Sequence, residues 1–195
     1  MNDRQKILTK LQEVLSELNK TLGKNAKFIL PDRLKFSLIA SVVNHPLHTM
    51  LEVRPHTAGL ISLTVARYAP LAHYYFCVQN EIQKDPLQKI CHQAHIRSYV
   101  KTGLTAELIN KYHIQIPDLV MLNRVSENTV QDDFNVLDLL GAYLQNCYKP
   151  IVAYASLKFS KRKKQHDFIE IIQNKYQPFV KINPNLIMFK LDKKT

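Results

Sequence analysis

The chain has 195 residues, 46% of them hydrophobic, which is enough to bury one core and excludes a globally disordered protein. Its formal net charge is +11, and the charge is unevenly spread. Residues 149–195 hold 11 basic and 3 acidic side chains, whereas residues 102–148 hold 2 and 6. A basic segment of this kind is typical of proteins that meet a polyanion such as nucleic acid.

The N-terminal sequence and the cysteines predict a cytoplasmic protein. The first 23 residues are polar and charged, without the apolar core of a signal peptide, and no later run is long enough to span a membrane. The three cysteines are an odd, widely spaced set, which argues against a disulfide framework. We expect no membrane partner, no bound metal and no cofactor.

The N-terminal part of the chain is predicted to form two helices. Residues 4–22 place Ile7, Leu11, Val14 and Leu18 on one stripe, which either docks on the core or pairs with a second copy or a partner protein. A second helix is predicted between the Pro-Asp pair at 31–32 and Pro46.

Alternating patterns follow this helical region. The runs "TMLEVR", "LISLTVARY" and "HYYFCVQNEI" alternate apolar and polar residues, which predicts three strands in an antiparallel meander. Asp85 and Pro86 then predict a helix start, and that helix is expected to run to about Lys101 and to stop at Gly103.

The segment "GLTAELINKYHIQIPDLVMLNR", residues 103–124, has two interpretations. Two short helices joined by "HIQI" would form a helix-turn-helix, with Pro117 as the first residue of the second helix. A helix running into a strand would instead supply a Pro-Asp pair of the kind that opens a metal-dependent nuclease site. Both interpretations stay open at this point.

The C-terminal part continues with mixed elements. Residues 132–147 predict a helix, "IVAYASLKF" a strand, "KRKKQHDFIEIIQNKY" a basic helix capped by Ser160, and "FVKINPNLIMFKL" a hairpin. The predicted class is α+β, with N-terminal helices, a small antiparallel sheet, a central helical segment and a basic C-terminal segment. The predicted segments are 1–83, 84–148 and 149–195, within one compact unit.

Residues 99–124 resemble the D subunit of the flagellar master transcriptional activator and related regulators of mobile elements. The resemblance lies in Gly103-Leu104, Glu107-Leu108, Asn110, Ile116-Pro117 and the closing "LVML". It implies a DNA-linked regulatory role. We therefore predict a DNA-binding transcription regulator or accessory factor of a bacterial mobile element.

The predicted DNA-contacting residues fall in two groups. The phosphate contacts are assigned to the cations of the basic segment, Lys158, Lys161, Arg162, Lys163 and Lys164. Base contacts are assigned to the polar end of the second helix, Asn123 and Arg124. The four basic residues at 161–164 begin a helix, where they oppose its dipole, and a bound phosphate would offset that cost. A solvated helix start without a ligand is the other interpretation.

Two alternatives remain. A Mg²⁺-dependent nuclease would use Asp118 and Lys158, but Ser156 stands where the second carboxylate belongs, so Glu170 would have to replace it. The triplet Asp32, Glu52 and Arg54 is a similar partial match. A non-enzymatic adaptor that binds a protein partner is the other alternative.

Overall fold

The structure is a computed structural model that describes residues 3–22, 32–44, 46–55, 59–103, 105–112, 116–144 and 149–192. The helices of these residues are α1 (Asp3–Leu22), α2 (Asp32–Asn44), α3 (Leu60–Ala66), α4 (Glu81–Gln93), α5 (Thr105–Tyr112), α6 (Val130–Leu144) and α7 (Arg162–Lys175). The strands are β1 (Thr49–Val53), β2 (His73–Val78), β3 (Arg97–Thr102), β4 (Leu119–Val125), β5 (Ile151–Leu157), β6 (Phe179–Asn183) and β7 (Leu186–Leu191).

One seven-stranded sheet organises the described residues, in the order β3-β2-β1-β4-β5-β7-β6. The first five strands are mutually parallel, with Met50 of β1 facing Tyr74 of β2 on one side and Leu119 of β4 on the other. Strand β7 runs antiparallel to β5, and β6 pairs with β7 as a hairpin. The fold class is therefore α/β, with helices as the crossovers that parallel strands require.

Two helical layers cover the sheet. Helices α1 to α4 contribute to one apolar cluster, which includes Leu11, Leu38 and Leu63. Helices α5 to α7 contribute to the second cluster, which includes Ile109, Leu137 and Phe168. Since both faces are covered, the central strands β1 and β4 are buried along most of their length, as parallel strands in this position are.

The predicted antiparallel meander and the predicted α+β class are wrong. Strands β1 and β2 are where the alternation predicted strands, but they are parallel, and the run "LISLTVARY" between them contains α3. Residues 61–66 of this helix are all buried. Ser62 and Thr64 give this run its apparent alternation, but both hydroxyls are hydrogen-bonded inside the chain, to Glu52 and to the Leu60 carbonyl. A helix that is buried on every side lacks the 3.6-residue period, so its sequence resembles that of a strand.

The predicted long helix before Gly103 is also corrected. Helix α4 begins at Glu81, capped by the Asn80 side chain, and Pro86 lies inside it. The helix ends at Gln93, two residues before His95, which has a φ of 57°. Residues 97–102 then form strand β3 at the edge of the sheet.

Residues 103–124 contain a helix followed by a strand, so the helix-turn-helix is wrong. Helix α5 lies at the predicted position, but the residues assigned to a recognition helix belong to β4, between β1 and β5. The β-branched and aliphatic run "LVML" is fully buried there. The alternative interpretation, a helix running into a strand, has the correct secondary structure.

Several elements lie close to their predicted positions. These are α1, α2, α5, α6, β5, α7 and the β6–β7 hairpin. The stripe of α1 is used inside the chain, because Leu11, Val14 and Leu15 are buried in the first apolar cluster. Among the described residues, no helix combines the length and the apolar character needed to cross a bilayer.

The burial of β4 gives a stability prediction. Leu119 is 2% exposed in the first apolar cluster, so Leu119→Ala should lower the free energy of unfolding by about 2–5 kcal/mol through lost burial and a cavity. Leu71, which is 50% exposed, provides the matched control, and Leu71→Ala should leave the denaturation midpoint nearly unchanged. Equal midpoints for the two variants in urea unfolding would contradict this placement of β4.

Candidate functional site

The sheet order locates the candidate site. From β1 the chain passes to β2 and β3 on one side, whereas β4 leads to β5 on the other, so the topology switches between β1 and β4. Open α/β sheets bind their ligands outside the carboxyl ends of the strands at such a switch point. We define the switch-point site as the polar residues at this edge, which are Glu52, Arg54, Asn123, Asp132 and Asp133.

Arg54 lies immediately after β1 and carries its charge into the protein. Its backbone has a φ of 51°, a left-handed conformation that costs energy for a residue with a side chain. Its amide donates to the Cys77 carbonyl at 2.8 Å, which ties it to β2. The side chain is only 9% exposed, and its Nε donates to the Asn123 carbonyl at 2.8 Å.

Asp133 is the main partner of Arg54. Its carboxylate is fully buried in the first turn of α6 and accepts from the Arg54 guanidinium at 2.5 Å. Burial raises the pKa of the Asp133 carboxyl, and the Arg54 charge opposes that rise. The other carboxylate oxygen, Oδ2, is buried and has no hydrogen-bond partner, although the helix N-terminus favours negative charge here.

Asp132 adds a second carboxylate at the mouth of this pair. It lies 3.9 Å from the Arg54 guanidinium, and its side chain keeps 19% of its surface exposed. Arg54 is therefore a single cation facing two acids of α6. This part of the site has one negative charge in excess when both acids are ionised.

A buried polar layer supports these residues from below. Glu52 is fully buried and accepts from the Ser62 hydroxyl at 2.5 Å and from the Asn123 amide at 3.2 Å. The Asn123 amide also donates to the Val53 carbonyl at 3.2 Å. This layer links the ends of β1 and β4 to the start of α3.

The neighbouring turns complete the carboxyl edge. Gly59, with a φ of 66°, precedes α3, and a side chain there would lie 2.8 Å from Leu87 and 3.1 Å from Phe76. At the end of β2, Gln79 and Asn80 are exposed. The Asn80 side chain caps α4, and the Gln79 backbone amide donates to the Gln83 side chain at 3.3 Å, so the start of α4 is fixed to the end of β2.

The structure separates the predicted nuclease residues. Asp118 lies before β4, where it accepts from the backbone amides of His48 and Thr49 and pairs with Lys149. Lys158 lies after β5, so the length of a seven-residue strand, roughly 20 Å, stands between them. Glu170 is exposed on α7, 3.9 Å from His166. Asp118, Lys158 and Glu170 therefore do not form a nuclease site.

The two predicted base contacts lie in a buried strand. Asn123 is 3% exposed, and its side-chain amide donates to the Glu52 carboxylate and the Val53 carbonyl. Arg124 is exposed at an irregularity in β4, with a φ of 56°, and its amide donates to the Ser156 hydroxyl at 2.9 Å. Neither residue stands on a helix that could enter a groove.

The basic residues form an exposed surface beside the site. Lys158, Lys161, Arg162, Lys163 and Lys164 are all exposed, after β5 and in the first turn of α7. The predicted cap is different, since the Glu127 carboxylate, after β4, accepts from the Ser160 amide, the Ser160 hydroxyl and the Lys161 amide. The position at which a phosphate was expected is thus filled by a carboxylate of the chain.

Asp132 and Asp133 are not among the functional residues that the sequence predicts, and Glu52 and Arg54 are among them only as part of a partial nuclease pattern. The sequence does contain a signal for this site. Arg54 directly follows an apolar strand, and the acidic pair Asp132 and Asp133 lies at the start of a later helix. Among the described residues, no group of three or more His, Cys, Asp or Glu side chains is placed to hold a metal ion.

The fold is shared with methyltransferases. An O-methyltransferase from Bacillus cereus, in complex with SAH, has a TM-score of 0.65 over 95% of this chain and 91% of that chain, at 16% identity. The O-methyltransferase TomG from Streptomyces achromogenes, in complex with SAM, gives 0.65 over 93% and 90%, at 10% identity. A ribosomal protein L11 methylase from Lactobacillus delbrueckii subsp. bulgaricus gives 0.53 over 83% and 77%, at 12%.

These identities show a common fold alone. No protein-family model and no curated protein matches the sequence. The predicted function is nevertheless corrected, because the expected recognition helix is the buried strand β4 and the nuclease residues Asp118 and Lys158 lie at opposite edges of the sheet. The DNA-binding prediction that rested on a helix-turn-helix is therefore also wrong.

The buried ion pair gives a prediction about stability. Asp133→Ala would leave the buried Arg54 charge with only the longer, 3.9 Å contact to Asp132, so we expect the free energy of unfolding to fall by about 3–5 kcal/mol. Asp138, on the same helix, pairs with Lys175 at the surface, and Asp138→Ala should cost at most about 1 kcal/mol. Chemical denaturation measures both, and similar losses would show that the Arg54 pair is not the stronger one.

The Glu127 cap predicts a pH dependence. The hydrogen bond from the Ser160 hydroxyl, with smaller backbone contributions, lowers the pKa of Glu127 to about 2. A depressed pKa stabilises the folded state above the unfolded-state pKa, and this contribution is lost as the pH falls towards 2. The melting temperature of Glu127→Gln should therefore lie below that of the wild type at pH 6 and approach it near pH 2. A difference that stays constant between these pH values would argue against the cap.

Proposed function

We propose that the chain is a methyltransferase that uses S-adenosylmethionine (SAM), bound at the switch-point site. The observation that carries the proposal is the sheet order, with the switch between β1 and β4 and the antiparallel β7 next to β5. Support also comes from the likeness to O-methyltransferases solved with SAM or SAH, which extends over at least nine tenths of each chain. Fold alone does not set an activity, so the chemistry of the site must be considered.

The charge of the site suits the methyl donor. SAM has a sulfonium cation, an ammonium group and a carboxylate, which together give one positive charge. Arg54, Asp132 and Asp133 together have one negative charge when ionised, and Asp133 Oδ2 lacks a hydrogen-bond partner. A cationic ligand beside the partly exposed Asp132 would neutralise the cluster, and it would reach Asp133 Oδ2 only through a shift of the first turn of α6.

Particular residues would hold the donor. Asp132 and Asp133 would attract its ammonium and sulfonium groups, and Arg54 offers guanidinium donors to its carboxylate. Gln79, exposed at the end of β2, has a side-chain amide that would hydrogen-bond ribose hydroxyls. When bound, SAM supplies an electrophilic methyl group to a nucleophilic acceptor.

The buried layer beneath would keep these groups in position. Glu52, Ser62 and Asn123 satisfy one another, so they hold the ends of β1 and β4 at a fixed separation. Their burial excludes water from the floor of the site, which strengthens the electrostatic interactions above it.

A second candidate function is a methyltransferase-fold protein that binds no methyl donor. The observation that favours it is the burial of Arg54, which occupies the turn after β1 and closes an ion pair across the switch point. Asn123 is likewise satisfied within the chain. These two functions differ in one measurable property, the binding of SAM.

The proposal predicts a charge-dependent affinity. In isothermal titration calorimetry the wild type should bind SAM more tightly than SAH, because the sulfonium adds a positive charge that SAH lacks. Asp132→Asn should weaken SAM binding by about tenfold, equivalent to about 1.4 kcal/mol, and should affect SAH less. Asp138→Asn, on the same helix but paired with Lys175, should change neither affinity.

Two results would contradict the proposed SAM site. A folded wild type that binds neither SAM nor SAH at millimolar ligand would remove the proposed function and favour the second candidate. Equal effects of Asp132→Asn and Asp138→Asn would show that the donor binds elsewhere.

A further inference from the structure

The surface after β5 is strongly cationic. Five of the seven residues from 158 to 164 are Lys or Arg, and none is acidic. All five side chains, Lys158, Lys161, Arg162, Lys163 and Lys164, are exposed, and we call them the basic surface. Such a cluster costs the free protein electrostatic repulsion that a polyanion would relieve.

The basic surface and the switch-point site share one edge of the sheet. The Lys158 amide donates to the Val125 carbonyl at the end of β4, at 2.8 Å. Strands β4 and β5 are adjacent, with a spacing of about 4.8 Å, so the surface begins one strand away from the end of β4. A long anionic molecule held there would reach the switch-point site without crossing the sheet.

Side-chain charge is what this surface offers to a ligand. The backbone amides of Ser160 and Lys161 are already bound by the Glu127 carboxylate. Beyond its first turn, α7 packs Phe168 and Ile172 into the core and exposes Asp167 and Glu170, whose charges would repel the phosphates that flank a groove. The four cations at 161–164 therefore suit a row of phosphates, contacted without regard to base sequence.

We infer that the basic surface binds the sugar-phosphate backbone of single-stranded RNA and that this RNA is the methyl acceptor. The identity of the acceptor rests on the proposed methyltransferase function. An acceptor base must leave a duplex stack to enter an enzyme site, and a single strand avoids that cost. Single strands in a cell are chiefly RNA.

The test measures binding of a fluorescent 20-nucleotide RNA of mixed sequence across a salt series, without SAM. The variant combines Lys161→Gln, Arg162→Gln, Lys163→Gln and Lys164→Gln. A charge-matched control neutralises four exposed cations of the opposite helical layer by Arg4→Gln, Lys20→Gln, Arg67→Gln and Lys89→Gln. Circular dichroism and thermal melts establish that both variants are folded.

The wild type should bind the RNA at low salt, with an affinity that falls as the salt concentration rises. The variant should bind at least about tenfold more weakly at 50 mM salt, and its log–log salt slope should be smaller by up to about 3, since each lost phosphate contact of a single strand removes about 0.7. The control should keep the wild-type slope.

Several results would overturn the inference. They are no RNA binding at low salt, an equal loss in the two variants, tighter binding of duplex DNA than of the RNA, or binding of phosphatidylserine vesicles in place of RNA. RNA binding that disappears only in the first variant, in a protein that binds no SAM, would leave the RNA surface standing and overturn the proposed function instead.

Discussion

Arg54 carries a positive charge into the interior at the end of β1, where Asp133 of α6 and the carbonyl of Asn123 receive it. A buried guanidinium without its partner would cost several kcal/mol, so the first turn of α6 is held against the end of β1. The Arg54 amide is bound by β2 at the same time. One residue thus joins β1, β2, β4 and α6, and it does so at the point where the topology switches.

The same geometry explains why the site and the basic surface lie together. Parallel strands end at one edge, so the turns after β1, β2, β4 and β5 meet there, although they are far apart in the chain. Glu127, after β4, binds the start of α7, after β5, and keeps the basic surface next to the site. At the amino edge, the Asp118 carboxylate pairs with Lys149 and accepts from the His48 and Thr49 amides, so it holds the starts of β1, β4 and β5 together.

The spacing of apolar residues was sufficient to predict the elements that have one buried face and one face exposed to solvent. Helices α1 and α7 and the β6–β7 hairpin have apolar residues on one side and polar residues on the other, so their periods are visible. It was insufficient for α3 and β4, which are buried on nearly all sides and therefore do not show the period of a one-sided element. The acid pair of α6 was visible in the sequence, but its meaning depends on Arg54, which lies 79 residues from Asp133.

By itself, the sequence determined the chain's capacity for one buried core, most of its amphipathic elements and the basic character of residues 158–164. Only the tertiary structure decided that the strands are parallel, that Asp118 and Lys158 lie at opposite edges, and that Arg54 meets Asp133. The physical reason is that the spacing of apolar residues shows which face of a helix or strand is buried. Strand order and ion pairing instead depend on contacts between segments that are distant in the chain. Those contacts are formed when the sheet and its two helical layers pack together, and no local stretch of sequence encodes them.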